Sequence, residues 1–325
     1  MGYLQNGEWH TGWYDTSKTG GRFVRQDSEF REWVAAEDGS SYPPAAGRYH
    51  LYVSLACPWA HRTLIFRKLK QLEDVISVSV VDPLMGDEGW VFSDGPGCIP
   101  DPVNNAQRMY ELYTLAQPDY SGRVTVPVLW DRETNSIVNN ESAEIIRMLN
   151  SAFDDFGRPG LDFYPEALSG EIDEINAYVY DRINNGVYKS GFATTQAAYE
   201  EAVTDLFEAL DTVEQRLSGQ PWLCGERLTE ADWRLFTTLV RFDPVYVGHF
   251  KCNIRRIADY PELQDYLRAL YQVPGIADTV NFDHIKQHYY RSHDTINPTG
   301  VVPVGPALDL ETPSGRPDPL ASLKG

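Results

Sequence analysis

The sequence predicts an α/β domain followed by an all-helical domain. Three observations carry that reading. A strand-like run, Leu51-Tyr52-Val53-Ser54-Leu55, passes straight into a helix-like run through Ala56-Cys57-Pro58. Two more runs rich in β-branched residues follow it, Ile76–Val81 and Val124–Trp130. Beyond residue 165 the apolar positions recur at helical spacing instead.

Residues 1–48 read as an N-terminal arm, rich in Gly, Ser and Asp. Trp9, Trp13 and Trp33 are too much apolar surface for a solvated tail, so the arm is expected to wrap the body. The α/β domain spans 49–150. Tyr52, Val53 and Leu55 favour a strand. Pro58 suits a first helical position, where its missing N–H has no partner to lose. Leu64, Ile65 and Leu69, interleaved with Arg62, Arg67 and Lys68, make the helix amphipathic. Ile76–Val81 is the second strand and completes a βαβ unit with parallel strands. Residues 83–122 form a Gly/Pro-rich insertion holding one short helix near Ala106–Leu115, and a loop of that length is usually functional.

Val124–Trp130 is the third strand, with Pro127 inside it. Proline cannot donate to a ladder, so the strand should bulge or face a ligand there, and a cis Val126–Pro127 bond is expected. Ser136–Val138 is a fourth strand and Glu141–Leu149 a helix. This βαβ–ββα order with a Val-Pro strand is that of a thioredoxin-like domain. A linker, 151–164, leads to the all-helical domain, 165–292. Its periodic stretches are Ile172–Ile183, Tyr199–Leu217, Ala231–Phe242 and Leu263–Tyr271. Thr229 is the N-cap of the third, with Asp232 as its capping-box partner. A Pro/Gly-rich tail, 293–325, closes the chain.

Composition narrows the function. At 325 residues and 42% hydrophobic content the chain can build two cores. A formal net charge of −19 argues against nucleic acid and anionic membranes as partners. The four cysteines, Cys57, Cys98, Cys224 and Cys252, have no disulfide or zinc spacing. With no signal-peptide pattern or membrane-length apolar run at hand, a cytoplasmic protein is expected. His284 and His288 are four apart with His293 following, a spacing compatible with a metal. No carboxylate–cysteine set accompanies them, so they read as core or solvated histidines, and no metal is expected.

The chemistry centres on Cys57. A thiol at a helix N-terminus faces unpaired amides and the positive end of the helix dipole, which favours the nucleophilic thiolate. Ala60 stands where a Cys-x-x-Cys pair would have its second cysteine. The site is therefore monothiol and needs an external thiol, for which glutathione is the usual candidate.

Several segments resemble the glutathionyl-hydroquinone reductases, the Xi class of the glutathione transferase superfamily. They are Ala56–Arg62, Gly89–Phe92 with Trp90, Arg123–Asp131, Asn140–Glu144, Asn184–Ala193, Arg241–Tyr246, and Asn281–His284 through Tyr289 to His293. The resemblance runs from about Gly47 to about Pro306. It implies Cys57 as nucleophile and Trp90, Arg123, Val126, Glu141 and Ser142 as the glutathione site. It also places Tyr188, Tyr246 and Tyr289 on an aromatic substrate, with Tyr188 and Tyr289 as catalytic groups. Taken singly, Val126 also reads as sheet core, Glu141 and Ser142 as an ordinary helix start, Trp90 as a loop anchor and the tyrosines as helix core. The implied activity is glutathione-dependent reduction of S-glutathionyl-hydroquinones through a Cys57–glutathione mixed disulfide, in a homodimer. A general monothiol oxidoreductase is the competing reading, and a non-enzymatic binding module a more distant one.

Overall fold

An Asn6-Gly7 turn, with both residues at positive φ, folds the start of the chain into a hairpin of β1 (Gly2–Gln5) and β2 (Glu8–Thr11). Asn-Gly supplies that backbone cheaply, which is why it marks two-residue hairpins. The computed structural model describes residues 1–323; the last two residues of the expected 293–325 tail lie outside them.

The strand leading to Cys57, β3 (Tyr49–Val53), is buried along its whole length. It lies inside a four-stranded sheet. It is followed by α1 (Pro58–Leu69) and β4 (Ser77–Val80), which pairs with β3 in parallel. The insertion carries α2 (Met109–Ala116) and β5 (Gly122–Arg123). Next come β6 (Val128–Asp131), antiparallel to β3, β7 (Ser136–Asn139), antiparallel to β6, and α3 (Ser142–Ser151). The sheet order β4-β3-β6-β7 is the expected thioredoxin-like arrangement. The third strand is shorter than expected: it begins at Val128, because Pro127 has no N–H to give the ladder. Just upstream, Gly122 and Arg123 pair with β1 instead.

The all-helical part contains α4 (Ser169–Val179), α5 (Gly186–Gly191), α6 (Gln196–Gly219), α7 (Glu230–Arg241) and α8 (Pro261–Tyr271), with α9 (Phe282–Ser292) after them. The expected cap of α7 is present, with Thr229 and Asp232 bonding reciprocally. The tail lies on α8: Gln272 donates to the Leu310 and Thr312 carbonyls at 2.8 Å, and Arg268 pairs with Asp309.

The chain divides into two compact units, and their limits differ from the expected segments. One comprises Met1–Trp13, Gln26–Pro159 and Thr279–His293; the other takes Tyr14–Arg25, Gly160–Asp278 and the chain from Asp294. The arm is thus shared between units, and α9 groups with the sheet instead of with the helices. Within the first unit, residues 30–32 lie along β7: Glu32 donates its N–H to the Val138 carbonyl at 3.0 Å, and Arg31 bridges to Asn139. Ile99 bridges to Val80 on β4. Trp33 stays 43% exposed, unlike its expected packing role.

One residue of β3 sets a pH dependence. His50 is wholly buried, with Nδ1 2.7 Å from the Ser77 hydroxyl and Nε2 2.9 Å from that of Ser79. Burial, aided by Arg132, pushes its pKa down to about 4. The folded state therefore resists a proton that the unfolded chain accepts below about 6.5. Stability is complete above that value and declines as the pH falls toward 4, by about 3 kcal/mol from this group. Chemical denaturation of wild type and His50→Gln at pH 7 and pH 4.5 checks this: the variant should lack that share of the acid loss.

Candidate active site

Cys57 occupies the N-cap of α1 with extended backbone (φ −75°, ψ 122°), and Pro58 follows as the first helical residue. The sulfur is half-buried and 3.5 Å from the Val126 carbonyl oxygen. All four cysteines are thiols. The Val126–Pro127 bond is cis, as expected. Val126 is 5% exposed, and its N–H has no hydrogen-bond partner among the described residues. One backbone donor and one acceptor thus sit beside the sulfur, suited to an extended peptide backbone laid alongside.

The start of α3 forms a second part of the site. Glu141 is its N-cap and accepts the Ala143 N–H at 2.9 Å. The Ser142 hydroxyl lies 3.4 Å from the same carboxylate oxygen and accepts from Arg62 at 3.3 Å. Arg62, one turn beyond Cys57, is only 1% exposed and lies over the Trp59 ring. This arginine ties α1 to the start of α3, and sequence reasoning passed it over. Its place directly behind the Cys57 helix start was the available signal.

The arm holds the same corner. Ser28 donates to Glu141 at 3.3 Å and to the Asn140 carbonyl at 3.2 Å, while the Phe30 N–H bonds the Asn140 side chain. Arg31 forks onto Glu144, its Nε at 2.7 Å, and Asn139 reaches the same carboxylate. Burial works against ionising Glu144, but the bonds from Arg31 and Asn139 outweigh it and hold the carboxyl below its usual range.

Trp90 is 6% exposed and stacks on the His288 ring of α9, centroids 4.8 Å apart. His288 Nδ1 sits 2.9 Å from the Pro83 carbonyl and His284 Nε2 2.7 Å from that of Pro96. A carbonyl only accepts, so each of these nitrogens carries the proton. The histidines clamp α9 onto the insertion, and among the described residues no cluster of three metal-ligating side chains occurs. Tyr289, on the same helix, is 1% exposed and edge-on to His288 and His293. Arg123 has a partner that the sequence did not suggest. Its Nη1 donates to the Gly12 carbonyl at 2.8 Å and to that of Gly2 at 3.1 Å, and the guanidinium covers Tyr3. It holds the N-terminal hairpin.

Tyr188 and Tyr246 belong to the helical unit, and each follows or ends a π-helical turn, Tyr180–Asn184 and Phe242–Tyr246. Such wide turns recur at functional sites. Tyr188 is half-buried on α5. Tyr246 is fully buried, stacked on Phe250 at 5.4 Å and 6.2 Å from Tyr188. Its ring packs behind Tyr188.

Two family descriptions match the chain: glutathione S-transferase N-terminal domain over residues 56–152, and the corresponding C-terminal domain over 196–269. Glutathionyl-hydroquinone reductase YqjG of Escherichia coli is 59% identical, over 97% of this chain and 98% of its own. Glutathionyl-hydroquinone reductase PcpF of Sphingobium chlorophenolicum is 56% identical, over 95% and 98%. Among solved structures, glutathione-bound YqjG from E. coli K-12 superposes with a TM-score of 0.89 at 55% identity, covering 97% of this chain and 99% of that one. The Xi class transferase of Natrialba magadii gives 0.91 at 50% identity, covering 97% and 96%.

Proposed function

The chain belongs to the glutathionyl-hydroquinone reductases, the Xi class of the glutathione transferase superfamily, and on that premise we propose how its residues carry the reaction. It reduces S-glutathionyl-hydroquinones with glutathione, releasing hydroquinone and glutathione disulfide. The observation that carries the mechanism is Cys57 at the start of α1, beside Val126 and with Ala60 where a second cysteine would stand.

Val126 takes the cysteinyl backbone of the glutathionyl group through its N–H and C=O. The Glu141–Ser142 helix start takes the γ-glutamyl end, where helix amides and a hydroxyl suit a carboxylate and Glu141 suits an ammonium. Arg123 and Trp90 hold the remainder. The ring carbon bearing sulfur first gains a proton while the neighbouring quinol hydroxyl gives one up, leaving the ring as a ketone tautomer. The Cys57 thiolate then attacks the glutathionyl sulfur. The S–S bond forms as the C–S bond breaks, and its electron pair restores the aromatic ring. Glutathione thiolate attacks the Cys57 mixed disulfide, regenerating Cys57 and leaving as glutathione disulfide. The aromatic carbon is reduced by two electrons, one from the conjugate's own sulfur and one from the incoming glutathione thiol.

Tyr188 and Tyr289 donate hydrogen bonds to the quinol oxygens, and Tyr246 backs Tyr188. The chemistry runs on thiols and invokes no metal. The working form is a cytoplasmic homodimer, as is usual for transferase-like proteins; among the described residues no helix is long and apolar enough to cross a membrane.

An anaerobic assay of a glutathionylated hydroquinone with glutathione tests this. Hydroquinone and glutathione disulfide should appear in equal amounts. Tyr188→Phe and Tyr289→Phe should each lower kcat by about 10²-fold, the usual loss of one donor to a developing oxyanion. Reduction of a small glutathione mixed disulfide should stay normal in both. Normal disulfide reduction with no hydroquinone from wild type would make the protein a general monothiol oxidoreductase.

A further inference from the structure

Residues 14–25 of the arm belong to the helical unit, and they end on Tyr188. Thr194 donates its N–H to the Gly21 carbonyl at 3.0 Å, the Thr195 hydroxyl donates to that of Gly20 at 3.0 Å, and Arg22 pairs with Glu201 at 2.6 Å. Gly21 sits at φ +86°, and a Cβ there would fall 2.6 Å from the Thr195 hydroxyl oxygen, so the approach needs glycine. Phe23, 5% exposed, packs on Phe192 at 5.4 Å and on Tyr188 at 6.3 Å. Arg25 then lays its guanidinium 4.8 Å from the Tyr188 ring centroid and 5.4 Å from that of Phe23. Its Nε donates to Asn185 at 2.8 Å, and Asn185, 7% exposed, is the residue from which α5 starts.

We propose that Arg25 is a positioning residue for catalysis: a cation fixed on the face of Tyr188 that strengthens its hydroxyl as a hydrogen-bond donor to the quinol oxygen. This rests on the role assigned to Tyr188 above. A ring face is electron-rich, and a guanidinium over it is attracted and held. The same field draws electron density from the ring and leaves the hydroxyl proton more positive. It also steadies the negative charge that grows on the tyrosine oxygen as the bond to the substrate shortens. Because Asn185 fixes the fork, the charge is already in place before the transition state and need not reorganise. Tyr188 is only half-buried, so its hydroxyl can be tuned from the ring face and still reach a ligand.

The test is a double-mutant cycle on hydroquinone release, with Arg25→Met, Arg25→Gln and Arg25→Lys in wild-type and Tyr188→Phe backgrounds. Arg25→Met should lower kcat about tenfold, with KM for the conjugate changed less than about twofold and attack of glutathione on the preformed Cys57 mixed disulfide unchanged. Arg25→Lys, which keeps the charge, should recover most of the loss. In the Tyr188→Phe background Arg25→Met should cost nothing further. If Arg25→Met does not fold, Arg25→Gln answers the same comparison. An equal loss in both backgrounds, or no rescue by lysine, overturns the proposal while leaving Tyr188 in its role. Full activity of Tyr188→Phe alone overturns the role of Tyr188, and the proposal with it.

Discussion

Serine in place of Cys57 is expected to stop hydroquinone formation, with kcat reduced by at least about 10³-fold, because a hydroxyl neither ionises near neutral pH nor forms a disulfide. The remaining cysteines offer no substitute. Burial pushes the Cys98 thiol up, pushes Cys224 to about 11, and raises Cys252 further inside the helical unit. Cys57 alone stands at the start of an α-helix long enough to stabilise a thiolate. Intact mass measured after mixing enzyme with the conjugate alone is the direct check. Wild type should gain one glutathionyl group on Cys57, and Cys57→Ser none, with the same melting midpoint. Activity retained in Cys57→Ser would remove the covalent mechanism altogether.

Asp232→Ala should be the most destabilising single change considered. Wholly buried, this carboxylate accepts four hydrogen bonds: from the Leu223 N–H at 2.8 Å, the Thr229 N–H at 2.8 Å, the Thr229 hydroxyl at 3.1 Å and the Tyr266 hydroxyl at 2.9 Å. Alanine strands all four donors away from water. Each orphaned donor costs about 1–3 kcal/mol, and partial relaxation brings the expected total to about 3–5 kcal/mol. A substantial share of a domain's usual margin is lost. Urea denaturation should show the midpoint falling sharply, with kcat of the remaining folded fraction unchanged. A wild-type midpoint would show that α7 is held by its apolar face alone.

The Thr229–Asp232 cap was legible because its logic is local: a hydroxyl and a carboxylate three residues apart at the head of a periodic run. Cys57-Pro58 and the cis Val126–Pro127 bond were legible for the same reason, whereas the shortening of that strand to Val128–Asp131 was not. Other features rest on contacts between distant segments that no periodicity records. Arg123 grips carbonyls of Gly2 and Gly12, and the α9 histidines grip carbonyls of the insertion, so hydrogen bonds to backbone decide both placements. Arg25 reaches Tyr188 across the sequence in the same way. The hairpin is a different case. Asn6-Gly7 between two short runs was a signal in plain view, obscured by the weak strand propensity of Gly2–Gln5 and Glu8–Thr11.

The flanks of the four-stranded sheet carry a consequence for how copies of this chain meet. An open edge strand is a template that invites a strand from another molecule, and with it runaway association. Here β7 is occupied by residues 30–32 of the chain itself, and β4 is met by Ile99. Self-pairing of this kind is local in the sequence for neither edge, yet it spends the chain's own backbone as a guard rail. A strand from another molecule therefore meets these segments of the chain, not a bare strand, at the two edges of this sheet.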